Sequence, residues 1–272
     1  MIREFQKYLQ VNKGYSENTA IAYGKDLHSF ARFLIDTKQD ARWSTVTLAD
    51  IDAYMQMMTD SKRTPATINR HVSSIRAFYN WLKRQGLMQE NPARYAQQQK
   101  RQRHLSNTIP TGDLIEAQKH ATGTVKVMLT LLTGTGIRIQ EMLDIKQSDI
   151  EASESRIKID GKGKKQRYVY LTKEATETVT EYAKHSGFKI FGDITQRQVR
   201  MAIYLELRRF SKARQLSPHA IRHTFATNMA KNGANLATIQ KVLGHESIKT
   251  TQKYIDLAQI DVREQMLQFS KM

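Results

Sequence analysis

Apolar residues recur at intervals of three and four along the first part of the chain. This spacing places them on one face of a helix, so it predicts amphipathic helices that pack a shared stripe inward. Three helix starts are marked by capping residues: Ser16, Thr47 with Asp50 three positions on, and Thr64 followed by Pro65. Gly86 is suited to end the last of these helices, because glycine readily adopts the left-handed conformation there. We therefore predict a bundle of about four helices over residues 1–95.

The middle of the chain departs from this pattern in two places. Residues 96–108 are polar and basic without a hydrophobic period, which predicts a linker between two domains. Two interpretations of that stretch have equal weight. It is either a charged segment exposed to solvent or a basic segment that follows a phosphate backbone. Further on, polar residues alternate with β-branched or apolar ones over 156–159 and 167–171, around the glycine- and lysine-rich residues 161–165. This alternation predicts a β-hairpin with a basic turn.

The rest of the second domain, residues 109–272, has a mainly helical pattern. Thr111 is the expected cap of its first helix, and the chain after Thr172 is again helical in pattern. The predicted fold class is mainly α with a small β-hairpin or sheet (α+β), formed by an N-terminal helical bundle and a larger mixed domain.

The composition adds a strong positive charge. Forty-three Lys and Arg residues oppose 26 Asp and Glu in 272 residues, for a formal net charge of +17. This balance favours a polyanionic partner, with nucleic acid as the first candidate. The absence of cysteine excludes disulfides and thiolate metal sites. Since no apolar signal segment or membrane-spanning run is present, we expect a cytoplasmic protein without a membrane partner.

A candidate anion site begins at Arg138, just after a glycine that ends one predicted element. An arginine at a helix start offers a planar fork for two phosphate oxygens. Glu141 lies one turn further on, and an Arg-x-x-Glu pair taken alone is more often a salt bridge within a helix. Lys162 lies in the predicted basic turn, together with Lys164 and Lys165.

A second group of candidates lies on a helix opened by Ser217-Pro218. His219 and Arg222 are three residues apart, so they share one face near the positive end of this helix and are able to bind one phosphate together. Such a pair is common by chance in a basic protein. His223 points about 100° away from Arg222, which favours a core or interhelical histidine.

The last candidates follow the next predicted helix. His245 comes directly after Leu243-Gly244, in a turn where a side chain is able to donate to a phosphate oxygen. Tyr254 lies nine residues later, within reach of that turn by chain length. A tyrosine can attack a phosphate and later leave, but most tyrosines are ordinary core residues, and this chain has 11.

The order and local spacing of these residues resemble a known family. Arg138, Lys162, His219-x-x-Arg222, His245 and Tyr254 occur with a Gly-Lys-Gly-x-Lys turn, a Leu-Gly-His and a Thr-Thr-x-x-Tyr. This set is similar to that of the tyrosine site-specific recombinases, the phage integrase family, and most similar to its compact Xer-type members. The resemblance implies a SAM-like core-binding domain at 1–95 and a catalytic domain at 109–272.

The resemblance also implies a role for each residue. Tyr254 would attack the scissile phosphate and form a 3′-phosphotyrosyl bond, while Lys162 would protonate the departing 5′-oxygen. Arg138 and Arg222 would hold the non-bridging oxygens. His219 would act in proton transfer, His245 would donate to a phosphate oxygen, and Glu141 would support the site.

The implied activity is site-specific recombination of DNA, in dimer resolution, inversion or mobile-element integration. The resemblance implies no cofactor and no metal, and the sequence has no P-loop and no clustered carboxylates. It implies double-stranded DNA as the partner and a tetramer on two DNA sites, with the need for a partner recombinase or regulatory protein left open. The alternatives are a type IB topoisomerase-like or telomere-resolving enzyme, or an architectural DNA-binding protein without catalysis.

Overall fold

The computed structural model describes residues 1–40, 42–100, 108–161 and 166–244. The chain divides into two compact units, Met1–Arg103 and His104–Met272, each with its own hydrophobic core. The predicted fold class, mainly helical with a small sheet, is confirmed. Across the described ranges, no helix combines the length and the apolar character that a membrane crossing requires.

The first unit is the predicted bundle of four α-helices. They are α1 (Ile2–Val11), α2 (Glu17–Lys38), α3 (Leu48–Asp60) and α4 (Pro65–Arg84). The predicted caps form as well: Ser16 accepts from Thr19 N–H, Thr47 and Asp50 make a reciprocal capping box, and Thr64 accepts from Thr67 N–H. Large side chains fill the space between the helices, among them Phe5, Leu27, Phe30, Ile51, Tyr54, Ile68, Phe78 and Tyr79.

Residues 96–100, predicted as the start of a linker, hydrogen bond to the bundle. Asn69 is 3% exposed and pairs with the backbone of Gln99 in both directions, Nδ2 to O at 2.9 Å and Oδ1 from N at 2.8 Å. Arg76 donates to the carbonyls of Ala93 and Ala96, at 3.0 and 2.6 Å. Both side chains belong to α4, so one helix orders this polar segment.

The second unit has seven described helices and one sheet. The helices are α5 (Thr111–His120), α6 (Gly123–Thr135), α7 (Ile139–Leu143), α8 (Lys173–Lys184), α9 (Gln196–Phe210), α10 (Pro218–Lys231) and α11 (Leu236–Leu243). The apolar helix α6 is central, and it packs against α5, α7, α8, α9 and α10.

The sheet contains the predicted hairpin and one strand more. Its antiparallel strands run in the order β1 (Ile150–Glu151), β2 (Arg156–Asp160) and β3 (Gln166–Tyr170). The sequence did not reveal β1, because two residues are too short to show an alternating pattern. Ile157 and Ile159 pair with Val169 and Arg167 across β2 and β3, so these four residues share the inward face of the sheet.

The predicted cap Thr111 is wrong by one position. The N-cap of α5 is Pro110, without a side-chain cap, and Thr111 is the first helical residue. Its hydroxyl oxygen instead accepts from Asn228 Nδ2 at 3.0 Å. A tertiary contact with α10 thus replaces the expected local one.

Candidate active site

Arg138 lies where α6 ends and α7 begins. Gly136 ends α6 with φ +61°, and a side chain there would clash with Phe225. Arg138 is the N-cap of α7: its backbone N–H donates to Glu141 Oε2 at 2.8 Å, and its Nη1 donates to Glu141 Oε1 at 2.7 Å. The expected Arg-x-x-Glu salt bridge therefore forms. The side chain is still 43% exposed, so a charged surface of Arg138 stays open to solvent.

Arg222 lies on α10, one turn from the helix start that Ser217 and Pro218 set. Ser217 caps α10 by accepting from Ala220 N–H, and Pro218 takes the first helical position as predicted. Arg222 is 4% exposed and donates to two backbone carbonyls, Gly136 O at 2.6 Å and Leu243 O at 2.7 Å. Its guanidinium thus joins the end of α6 to the end of α11.

The two arginines meet at the C-terminal end of α11. Arg138 Nη2 donates to Gly244 O at 3.1 Å, next in the chain to the Leu243 carbonyl that Arg222 binds. Carbonyls at a helix C-terminus have no partner within the helix and carry partial negative charge, which suits two cations. Asn235 caps the start of α11 by accepting from Thr238 N–H, and Gly244 ends the helix with φ +62°. His245 is the next residue in the sequence after Gly244.

The imidazole rings of His219 and His223 lie against each other. Their Nε2 atoms are 3.1 Å apart, with ring planes at 90°. His219 is exposed and His223 is half-buried. Residues four apart on a helix are direct neighbours, so this contact lies within α10, and a core or interhelical role for His223 stays a prediction.

Arg167 is part of this site, although the sequence analysis did not select it. From β3 it donates two hydrogen bonds to the Glu141 carboxylate, at 3.1 and 2.9 Å, and one from Nε to Val242 O at 3.0 Å. One signal was available: Arg167 shares a strand face with the apolar Val169, so the alternating pattern already placed a charge on the inward face.

Glu141 is a buried carboxylate between two arginines. Burial alone would raise its pKa, but hydrogen bonds from Arg167 and from the Arg138 backbone, with the charges of both arginines, outweigh burial and lower the pKa to about 2. Glu141 is therefore ionised at neutral pH. Its charge balances part of the surrounding positive charge and fixes the position of Arg138.

Arg138 and Arg222 border one open cleft of about 430 Å³. His219, Gln140 and Arg200 are among the other residues that line it. A cleft with guanidinium groups and an imidazole is suited to an anion with several oxygens, such as a phosphodiester. Arg200, on α9, is a further cation there that the sequence analysis did not predict.

The structure thus brings together four of the predicted site residues, Arg138, Glu141, His219 and Arg222. Lys162, His245 and Tyr254 lie outside the described residues, and their roles stay predictions. The described strand β2 ends at Asp160 and β3 begins at Gln166, so Lys162 lies in the sequence between them. Within the four described ranges, no three His, Asp or Glu side chains are grouped as a metal site requires.

Comparison with known proteins gives matches over almost the whole chain. Residues 111–260 match the profile of the phage integrase family, and residues 2–86 match that of the phage integrase N-terminal SAM-like domain. Tyrosine recombinase XerC of Listeria welshimeri is 33% identical over 93% of this chain and 91% of its own length. Tyrosine recombinase XerD of Oceanobacillus iheyensis is 29% identical over 97% of this chain and 95% of its own. The Tn1549 transposon integrase, solved in complex with a circular intermediate DNA, shares the fold, with a TM-score of 0.76 at 16% identity over 97% of this chain and 98% of that chain.

Proposed function

This chain belongs to the phage integrase family and is a site-specific DNA recombinase of the tyrosine type, and we propose that it cleaves and rejoins DNA through a covalent bond to Tyr254. The observation that carries the proposal is the placement of Arg138 and Arg222. Both guanidinium groups bind carbonyls at the end of α11 and border one cleft, and Tyr254 follows Gly244 by ten residues in the sequence. Charge that spreads over phosphate oxygens in a transition state is stabilised by cations fixed in this way.

In the first proposed step, the phenol oxygen of Tyr254 attacks the scissile phosphorus, and the bond from phosphorus to the 5′-oxygen breaks. His219 accepts the phenol proton, and Lys162 gives a proton to the leaving oxygen, so that a 5′-hydroxyl is released. His245 donates to a non-bridging oxygen. In the second step, the 5′-hydroxyl of the other duplex gives its proton to Lys162 and attacks the phosphorus. The bond from phosphorus to the tyrosine oxygen breaks, and His219 returns a proton to that oxygen, which restores the phenol. The phosphotyrosine retains the energy of the broken bond, so the proposed steps need no nucleotide or metal cofactor.

The proposal extends to partners and location. The unit Met1–Arg103 is proposed as the core-binding domain, because its residues 2–86 match the SAM-like domain. Double-stranded DNA is the partner of both units, and strand exchange between two sites would assemble four copies of the chain. Whether this assembly includes a different recombinase or a regulator is left open. The location is proposed as cytoplasmic, where bacteria, the source of the relatives above, keep their DNA.

The proposal predicts that Tyr254→Phe abolishes covalent attachment to DNA. The probe is a pool of nicked duplexes with randomised sequence around the nick, from which covalent complexes are isolated on denaturing gels and sequenced. The wild type should form complexes, and the variant should form none. The variant should bind the trapped sequences as tightly as the wild type, because the phenol is uncharged at neutral pH.

Tyr168→Phe is the matched control, since Tyr168 lies 42% exposed on β3. This control should form covalent complexes at the wild-type rate. Complexes from Tyr254→Phe would show that the nucleophile lies elsewhere. If two duplexes with the trapped site were never recombined, while supercoiled plasmid was relaxed, the protein would act as a topoisomerase instead.

A further inference from the structure

Arg167 occupies an unusual place for an arginine. In the register of the sheet it pairs with Ile159, and it lies on the face that holds the buried Ile157 and Val169. Its side chain is 14% exposed, and the carboxylate that it binds is 6% exposed. Taking an arginine out of water is costly, so this position needs full hydrogen bonding to be stable.

The contacts of Arg167 connect three elements. Two N–H groups reach the two oxygens of Glu141 at the start of α7, and Nε–H reaches Val242 O at the end of α11. The planar guanidinium makes all three bonds at once, which the single ammonium group of a lysine does not reproduce. The hairpin strand, the helix that begins at Arg138 and the helix that leads to His245 are therefore held by one side chain.

Gly244 packs directly on this guanidinium. A Cβ atom at Gly244 would lie 2.9 Å from Arg167 Nη1 and 3.1 Å from its Cζ. The carbonyl of the same glycine accepts from Arg138. The turn that ends α11 is thus in contact with both arginines that share Glu141.

We propose that Arg167 is a positioning residue for strand cleavage, which sets the distance between Arg138 on α7 and the end of α11. This inference rests on the proposed function. Arg167 is not among the residues that line the cleft in the described part of the chain, so it acts through Glu141 and the α11 turn. Without it, Glu141 keeps Arg138 as its one charged partner among the described residues, and α11 loses a hydrogen bond at Val242.

The proposal predicts that Arg167→Met slows formation of the covalent complex about 100-fold at saturating DNA, because displacement of reacting groups by an ångström has effects of this size. Affinity for the DNA should stay near the wild-type value. Arg167→Lys keeps the positive charge but lacks the planar guanidinium, and its rate of covalent-complex formation should fall about tenfold. The rate is measured in single turnovers on a nicked duplex that wild-type protein has been shown to cleave.

A pH profile separates positioning from a general loss of stability. The charged groups of described residues that face Glu141 are Arg138 from α7 and Arg167 from β3, and α11 contributes only backbone carbonyls nearby. Burial raises the pKa of Glu141, and the hydrogen bonds and charge of Arg167 counteract that effect. Removal of Arg167 therefore raises the pKa of Glu141. The rate of Arg167→Met relative to wild type should therefore fall as the pH is lowered toward that raised pKa, over the range in which the protein stays folded. The double variant Arg167→Met/Glu141→Gln has no such carboxyl group, and its relative rate should be independent of pH in that range.

Arg156→Met is the matched control, because Arg156 lies on the neighbouring strand and pairs with a different carboxylate, Glu151, at 2.6 Å. It should cleave at the wild-type rate. Arg167→Met within twofold of wild type would overturn the inference. If Arg167→Met does not fold, as judged by circular dichroism, Arg167→Lys decides alone, and wild-type activity in that variant would overturn the inference. A wild-type protein that never forms a covalent complex would instead contradict the proposed function.

Discussion

Gly136 and Gly244 both end helices with positive φ, at +61° and +62°, and both are close to neighbouring side chains. Each glycine lets the chain turn at the end of its helix. The missing side chain also leaves room for the ring of Phe225 at Gly136 and for the guanidinium of Arg167 at Gly244. The carbonyls of the same two residues accept hydrogen bonds from Arg222 and Arg138. Single backbone positions thus determine where the cations of the site lie.

At this scale we expect Gly244→Ala to be more destabilising than Gly233→Ala. Gly233 also has a positive φ, +82°, but nothing lies within 4 Å of a Cβ there, so its substitution costs only the left-handed conformation, about 1 kcal/mol. At Gly244 the added methyl also meets Arg167, whose three hydrogen bonds restrict its movement, which adds about 1–3 kcal/mol. Urea unfolding followed by circular dichroism measures both changes.

The variant Arg167→Met tests the cause of that difference. If the guanidinium is the obstacle, Gly244→Ala should cost little more than Gly233→Ala once Arg167 is replaced, because methionine is flexible and uncharged. Equal costs of the two glycine substitutions in the wild-type background would contradict the packing argument.

Helix α4 shows how one element orders a segment that is polar throughout. Its buried Asn69 forms two hydrogen bonds with the backbone of Gln99, in the manner of a neighbouring strand, and Arg76 binds two further carbonyls. The segment 96–100 contains one buried residue, Ala96, at 4% exposure, so polar contacts contribute most of its attachment. We therefore expect the attachment to depend on a few side chains of α4.

The corresponding prediction is that Asn69→Ala speeds tryptic cleavage after Lys100. Two hydrogen bonds at about 1 kcal/mol each would raise the fraction of open segment roughly 5- to 30-fold, and cleavage follows that fraction when reclosing is fast. Gln98→Ala is the control, because the bond of Gln98 to Ser73 is exposed and contributes less. Equal cleavage rates of wild type and Asn69→Ala would show that other contacts hold the segment.

The whole chain carries a formal net charge of +17, far more than the site itself needs. Cations spread over a protein surface bind phosphates by releasing counterions from the DNA, which makes the affinity steeply dependent on salt. For a protein that contacts 6–10 phosphates, the affinity should fall roughly 10³–10⁵-fold between about 50 and 200 mM salt.

Fluorescence anisotropy with a duplex that carries the trapped site measures this dependence. Tyr254→Phe should give the same slope, since the phenol carries no charge at neutral pH. An affinity that hardly changed with salt would indicate that the excess of basic residues serves another purpose than binding DNA.

The sequence by itself determined the elements and the order of the chemistry. Caps such as Ser16, Thr64 and Ser217, and the terminal glycine of α11, act within a few residues, so local patterns were sufficient to predict them. The hairpin followed from alternation in the same way. The family was recognisable because the residues that carry its chemistry keep their order and local spacing along the chain.

Only the tertiary structure decided how distant residues meet. Arg222 reaches Gly136 and Leu243, 86 and 21 residues away in the chain, and Arg167 reaches Glu141, 26 residues away. No local pattern specifies such partners, because they depend on how helices and the sheet pack. The same reason explains why Thr111 contacts α10 instead of capping α5, and why a segment resembling a linker is held by Asn69. Local hydrogen bonding thus determined the helices and the hairpin. The packing of the helices and the sheet against each other determined which arginines lie close together at the site.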